Sequence, residues 1–246
     1  MQRSLGDADL KSRKSKPNVI GFAGPFLGIM GMAVIVAAQG SAGRGPQSSQ
    51  PVSRGATLTY RHIFKGSYPE FVEIKVREDS DAATYEIRQL DDDSGASPFT
   101  VDAPLRTKIF ALAAELNRFA GQDLDVKRKV ANLGQKTFRW EQGADVHEVN
   151  FNYTLNAQAN QLMHIFEGLA TQQDDLTTLQ RRIKYDRLGV NDALLQIEKD
   201  LDEDLLPEPQ ELLAALDQIG LDSRIVDVAR RRARVLAERI RSPKEK

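Results

Sequence analysis

Residues 57–88 read TLTYRHIFKGSYPEFVEIKVREDSDAATYEIR, and their alternation decides the fold class. Leu58, Tyr60, His62 and Phe64 alternate with Thr59, Arg61 and Ile63. Such a period of two marks a half-buried strand. Gly66-Ser67-Tyr68-Pro69 breaks the run. Val72, Ile74 and Val76 then alternate with Glu73, Lys75 and Arg77, and after a polar turn Ala83, Tyr85 and Ile87 alternate with Thr84, Glu86 and Arg88. Short adjacent strands with one apolar phase predict an antiparallel meander with one wet face.

Towards the C-terminus, residues 91–98 are polar and read as a loop. Asp102 is placed to cap a helix, with Pro104 in its first turn, where a missing N–H costs nothing. Leu105, Ile109, Leu112, Leu116 and Phe119 form one apolar stripe, and Gly121 is the expected stop. Residues 122–134 read as loop. Phe138 and Trp140 alternate with Thr137, Arg139 and Glu141, Gln142-Gly143-Ala144-Asp145 turns the chain, and His147, Val149, Phe151 and Tyr153 continue the alternation. This is a β-hairpin. Asn156 is a cap for a helix whose stripe runs Ala159, Leu162, Met163, Phe166 and Leu169, and continues through Leu176, Leu179 and Ile183. Leu188-Gly189-Val190 interrupts it. Three further helices follow: one capped by Asn191 or Asp192, one ending at Gly220, and a last one capped by Asp222. The expected architecture is α+β: an antiparallel sheet of about five strands in the order βββα-ββα, helices on one face, and a C-terminal helical segment. The lack of any repeated strand–helix–strand unit argues against a parallel sheet.

Towards the N-terminus the chain changes character. Residues 41–56 are rich in Gly, Ser, Pro and Gln and read as a flexible linker. Residues 19–38, VIGFAGPFLGIMGMAVIVAA, contain no charged side chain. Twenty residues at helical rise span about 30 Å, the thickness of a bilayer core. Lys11, Arg13, Lys14 and Lys16 precede this stretch, which predicts a cytoplasmic N-terminus and an exported remainder. Two readings are open: an uncleaved transmembrane anchor, or a signal peptide cleaved after Ala38-Gln39-Gly40, before Ser41. Gly24 and Gly28 also match a helix-packing pattern, which five helix-weakening glycine and proline residues undercut. The expected layout is 1–18 basic and cytoplasmic, 19–40 anchor or signal, 41–56 linker, 57–170 an α+β domain, and 171–246 helical and packed on it.

The chain has 246 residues, no cysteine and three histidines. The first 56 residues carry seven Lys or Arg and two Asp or Glu, so the remaining 190 hold 27 against 33, a net charge of −6. A mildly acidic domain lacks the basic footprint of a nucleic-acid binder. Without cysteine there is no thiol nucleophile, thiolate zinc site or iron–sulfur cluster.

The remaining candidates for chemistry are sparse. His62 and His147 lie on apolar strand phases and would approach each other if their strands were neighbours, though no carboxylate stands at ligand spacing. His164 lies off its helix stripe. Gly66-Ser67 lacks the following helix of a nucleophile elbow. Asp200, Asp202, Asp204 and Glu211 occupy positions 1, 3, 5 and 12 of a calcium-loop register, but Leu205 stands where the turn needs glycine. Asp91-Asp92-Asp93 with Gly95 reads as a turn. No phosphate loop or dinucleotide motif is present. Arg230, Arg231, Arg232, Arg234, Arg239 and Arg241 in the last helix are expected to pair within the chain, notably with residues 198–208. No catalytic, cofactor-binding or metal residues are assigned, and no cofactor is expected.

These readings predict an exported envelope protein, tethered or secreted, with a binding or structural role. Its expected partners are the membrane through residues 19–38 and an envelope protein or polymer. The alternative is a hydrolase of envelope or extracellular polymers using two carboxylates gathered from distant positions.

Overall fold

Strand alternation builds the sheet as expected, with one strand more. In a computed structural model, residues 55–242 are described. The first three strands are β1 (Thr57–Ile63), β2 (Phe71–Arg77) and β3 (Ala82–Arg88). A fourth, β4 (Ser97–Thr100), lies where the sequence reads as loop. Two more, β5 (Gln135–Gln142) and β6 (Asp145–Phe151), form the hairpin. All pair antiparallel in one sheet of order β4-β3-β2-β1-β5-β6. The sheet therefore has six strands rather than about five. Strand β4 escapes a sequence reading because it is four residues long and contains Pro98. Proline is tolerated at a sheet edge, where one side of the strand has no partner.

Register aligns the apolar phases into rows. One row runs Tyr85, Ile74, Tyr60, Phe138, Val149, and the next runs Ile87, Val72, His62, Lys136, Phe151. The opposite face is wet and carries cross-strand ion pairs such as Arg61–Glu73 at 2.6 Å and Arg139–Glu148 at 3.3 Å.

Among the described residues there are five α-helices; two cover the apolar face and three extend beyond it. Helix α1 (Ala103–Glu115) starts as expected, the Asp102 carboxylate accepting from Leu105 N at 2.8 Å. It ends earlier than Gly121. Asn117, Arg118 and Phe119 take positive φ of 51°, 51° and 66°. That sharp turn tucks Phe119 against Phe138, with ring centroids 5.3 Å apart. Helix α2 (Ala157–Tyr185) is capped by Asn156, which accepts from Ala159 N at 2.9 Å. Its 29 residues span about 43 Å at ordinary helical rise.

The caps of two later helices differ from expectation. Helix α3 (Val190–Asp202) starts at Gly189, whose N–H is taken by the Asp186 carboxylate at 3.0 Å, so neither Asn191 nor Asp192 caps it. Helix α4 (Leu213–Leu221) follows a 3₁₀ turn over Pro209–Leu212. Helix α5 (Asp227–Arg241) begins beyond Asp222, whose carboxylate binds Arg224 instead.

Helix α2 enters two apolar cores. Its first half, through Ala159, Leu162, Phe166 and Leu169, packs on the sheet and α1. Leu179 belongs to a second core with α3, α4 and α5. Between the two, Gln172 and Gln173 are buried and polar. Their amides donate to Glu211 Oε2 at 3.0 and 2.9 Å, and Glu208 N donates to Gln172 Oε1 at 3.0 Å. Glu208 Oε1 in turn accepts from Asp102 N at 2.7 Å, and Glu211 Oε1 accepts from Thr100 Oγ1 at 3.2 Å. A polar seam thus ties the middle of α2, the 208–211 segment and the end of β4 into one assembly. Most lone pairs and protons in it are matched, which is what makes a buried polar group tolerable.

Gly168 permits the close approach of the loop after α3. A Cβ there would stand 2.6 Å from Leu205 O and 2.9 Å from Pro207 Cγ. Among the described residues, no helix is long and apolar enough to cross a membrane. The stretch 19–38 lies outside the described residues, as do 1–18 and most of 41–56.

Candidate functional site

Helical spacing and strand register bring one set of side chains together that the sequence scatters. On α2, Glu167, Thr171 and Asp174 follow at four and three residues and so share a face, with Asp175 beside them. On α3, Gln196 and Asp200 are four apart. From the sheet, Tyr60, His62, Val72 and Ile87 present the lower rows of the apolar face. These residues enclose a cleft of about 490 Å³ between the sheet, α2 and α3, with Ala170 and Leu205 completing its apolar wall. That volume lies within the range of small-molecule sites. A second depression, of about 580 Å³, adjoins it and shares Glu167, Thr171 and Leu205 with it.

The cleft is acidic. Glu167 accepts from Tyr60 OH at 3.2 Å. Burial, and then the Glu167 charge, raise the Tyr60 phenol well above its usual range, so it stays protonated and donates to Glu167. Asp175 and Asp200 are buried and their carboxyls lie within hydrogen-bonding reach of each other. Burial first, and the Asp200 charge second, push the Asp175 carboxyl up to about 7. A second carboxylate this close, in a site partly withdrawn from water, keeps the proton on Asp175 to higher pH. Asp200 also accepts from Gln196 Nε2 at 2.8 Å. Oδ2 of Asp175 is buried and receives no donor.

A basic pair, His62 and Lys136, sits inside one row of the same sheet face. Lys136 is buried opposite His62. Its ammonium donates to Leu133 O at 3.0 Å and to Asn152 O at 3.2 Å. His62 Nε2 lies 2.9 Å from the same Leu133 oxygen. Gly134, at φ +85°, lets this loop close on the row, since a Cβ there would strike the His62 ring. Burial holds both the His62 imidazolium and the Lys136 ammonium below their ordinary ranges.

The other sequence candidates are dispersed. His62 and His147 do not meet: β5 separates their strands, His62 pairing with Lys136 and His147 with Trp140. His147 instead contacts Asp145 at 3.1 Å. His164 is exposed, 3.9 Å from Glu167. Ser67 Oγ lies 2.6 Å from Phe64 O and serves the turn. Asp91, Asp92 and Asp93 are exposed. The calcium register also disperses: Asp200 faces Asp175, Asp202 pairs with Arg239, and Glu211 enters the polar seam. Among the described residues no group of three or more His, Asp or Glu side chains could hold a metal ion. The arginines of α5 are spent within the chain: Arg232 binds Glu198 at 3.1 Å, Arg241 binds Asp217 at 2.5 Å, and Arg230 binds Asp227 at 3.0 Å.

Sequence reasoning missed Glu167, Asp174, Asp175 and Gln196. One signal was available. Gln172 and Gln173 fall where the apolar stripe of α2 should place a hydrophobic residue between Leu169 and Leu176. Polar residues on a buried phase point to a polar seam, and the adjacent Asp174-Asp175 extends it into the cleft. Neither the models of known protein families nor the curated proteins contain a match to this chain.

Proposed function

We propose that this is an exported, membrane-tethered or secreted protein whose α+β domain acts as a binding module, with the cleft between the sheet, α2 and α3 as its ligand site. The cleft carries the binding half of this reading. It combines apolar walls from Val72, Ile87 and Ala170 with a few convergent polar groups, the composition expected of a binding pocket. The export half rests on sequence: the uncharged stretch 19–38 behind a basic head. An envelope partner or polymer fits that placement.

The hydrolase alternative draws less support. Two-carboxylate glycoside hydrolysis uses carboxyl groups held roughly 5–9 Å apart around a bond or a water. Asp175 and Asp200 are instead close enough to share a hydrogen bond and are buried.

Fractionation with N-terminal sequencing tests export. A start at Ser41 in the soluble fraction is expected for a secreted protein, and an intact chain in the membrane fraction for an anchored one. An intact chain beginning at Met1 in the soluble cytoplasmic fraction would refute export.

A further inference from the structure

Four carboxylates line the cleft without a paired cation. Several carboxylates elsewhere do find one: Glu73 meets Arg61 and Lys75, Asp79 meets Arg77, Glu198 meets Arg232, and Asp217 meets Arg241. Glu208 and Glu211 are held instead by amide, hydroxyl and backbone donors. Glu167, Asp174, Asp175 and Asp200 all line the cleft, and among the described residues none of them makes an ion pair with Lys or Arg. No Lys or Arg side chain lines the cleft. The cations that act on this group from a distance are Lys136, felt by Glu167, and Arg181, felt by Asp174.

A second observation is independent of that count. Asp175 is only 9% exposed, and its Oδ2 has no donor from the protein. A buried acceptor left empty costs free energy unless something supplies a proton. The remaining wall is apolar. A metal ion does not suit the site, because no three acidic or imidazole side chains converge to hold one among the described residues. The complement of an acidic patch at the end of an apolar slot is an organic cation with an aliphatic body.

We infer that the cleft binds an alkylammonium group, its N–H donors directed to Asp174 and to the Asp175–Asp200 pair and its hydrocarbon lying along Val72, Ile87 and Ala170. Deepening the binding-module reading, it rests on that reading. An ammonium carries three donors and suits a cluster of acceptors better than a planar or neutral group. Glu167, already holding Tyr60, sets the far side of the slot.

The test uses the full chain in nanodiscs of zwitterionic phosphatidylcholine, with empty nanodiscs as the blank. The probes are n-hexylammonium, 1-hexanol and hexanoate, matched in length and differing in charge. Binding is followed by calorimetry and by amide chemical shifts. The expected result is hexylammonium binding about tenfold tighter than hexanol, no hexanoate binding, and shifts at Thr171, Gln196 and His62. Asp174→Asn, on the exposed rim, and Asp175→Asn should each weaken hexylammonium by about fivefold to tenfold. Glu238→Gln, remote on α5, should not. Equal binding of hexylammonium and hexanol, or indifference to both aspartate substitutions, overturns the inference. Hexanol or hexanoate in the cleft without hexylammonium also overturns it while leaving a ligand site in place. Silence from all three probes overturns both.

Discussion

Asp175→Asn should stabilise the protein, and only at neutral and alkaline pH. In the folded chain the Asp175 carboxyl titrates at about 7, raised first by burial and then by Asp200. In the unfolded chain it returns to the ordinary aspartate value near 4. Between those limits the folded state holds a proton that the unfolded state has lost. Stability from this group is therefore complete below about pH 4 and falls as pH rises through about 7. The difference between about 4 and about 7 corresponds to about 4 kcal/mol at most. A loss of about 2–4 kcal/mol between pH 4.5 and 8 is expected.

Two other sets of groups bracket this window. Glu73 and Asp222, held low by their cationic partners, add stability that disappears only below about pH 4.5. His62, held low by burial, works in the opposite sense just below its ordinary pKa. Asparagine keeps the shape and removes the titration. Urea unfolding at pH 4.5, 6 and 8 should show wild type and variant nearly equal at the lowest pH and the variant ahead by about 2–4 kcal/mol at the highest. Parallel profiles across this range would show that Asp175 does not titrate with folding.

Four further outcomes follow from particular contacts. Glu208→Gln should act in the same pH direction, because burial pushes that carboxyl up to about 7, and the two substitutions should be close to additive by urea titration. Gly168→Ala should lower the melting temperature, at a cost of about 1–3 kcal/mol, since its Cβ meets Leu205 O at 2.6 Å; an unchanged melting curve would contradict the close approach. Gln172→Ala strips the partner from Glu208 N and should destabilise by about 1–3 kcal/mol in denaturant melts. Arg241→Ala removes an exposed pair with Asp217 and should change stability by less than about 1 kcal/mol.

The sheet was legible because each of its long strands buries one face, and that face must alternate. Leu58, Tyr60, Val72, Ile74, Phe138 and Val149 are all buried on the phase that alternation assigns them. The caps at Asp102 and Asn156 were equally legible, since a side-chain oxygen three residues ahead of its donor is a local matter. Strand β4 was not, because its pairing with β3, Ala83 opposite Phe99, is set by the neighbour rather than by its own four residues. The early end of α1 was hidden for a similar reason: Phe119 leaves the helix to reach Phe138. The cleft was hidden more completely. Tyr60, Asp175 and Asp200 are far apart in the chain, and only the packing of α2 on both the sheet and α3 brings them together. The calcium-loop register shows the converse, a local spacing whose side chains the fold turns apart.

Amide chemical-shift mapping of the full chain against a mixed fragment set measures whether the cleft takes a ligand. Shifts that saturate with concentration are expected at Thr171, Asp174, Gln196 and His62. Saturable shifts confined elsewhere, such as the basic depression at Lys184, Arg187 and Arg224, would contradict a ligand site in the cleft, as would a cleft that no fragment perturbs.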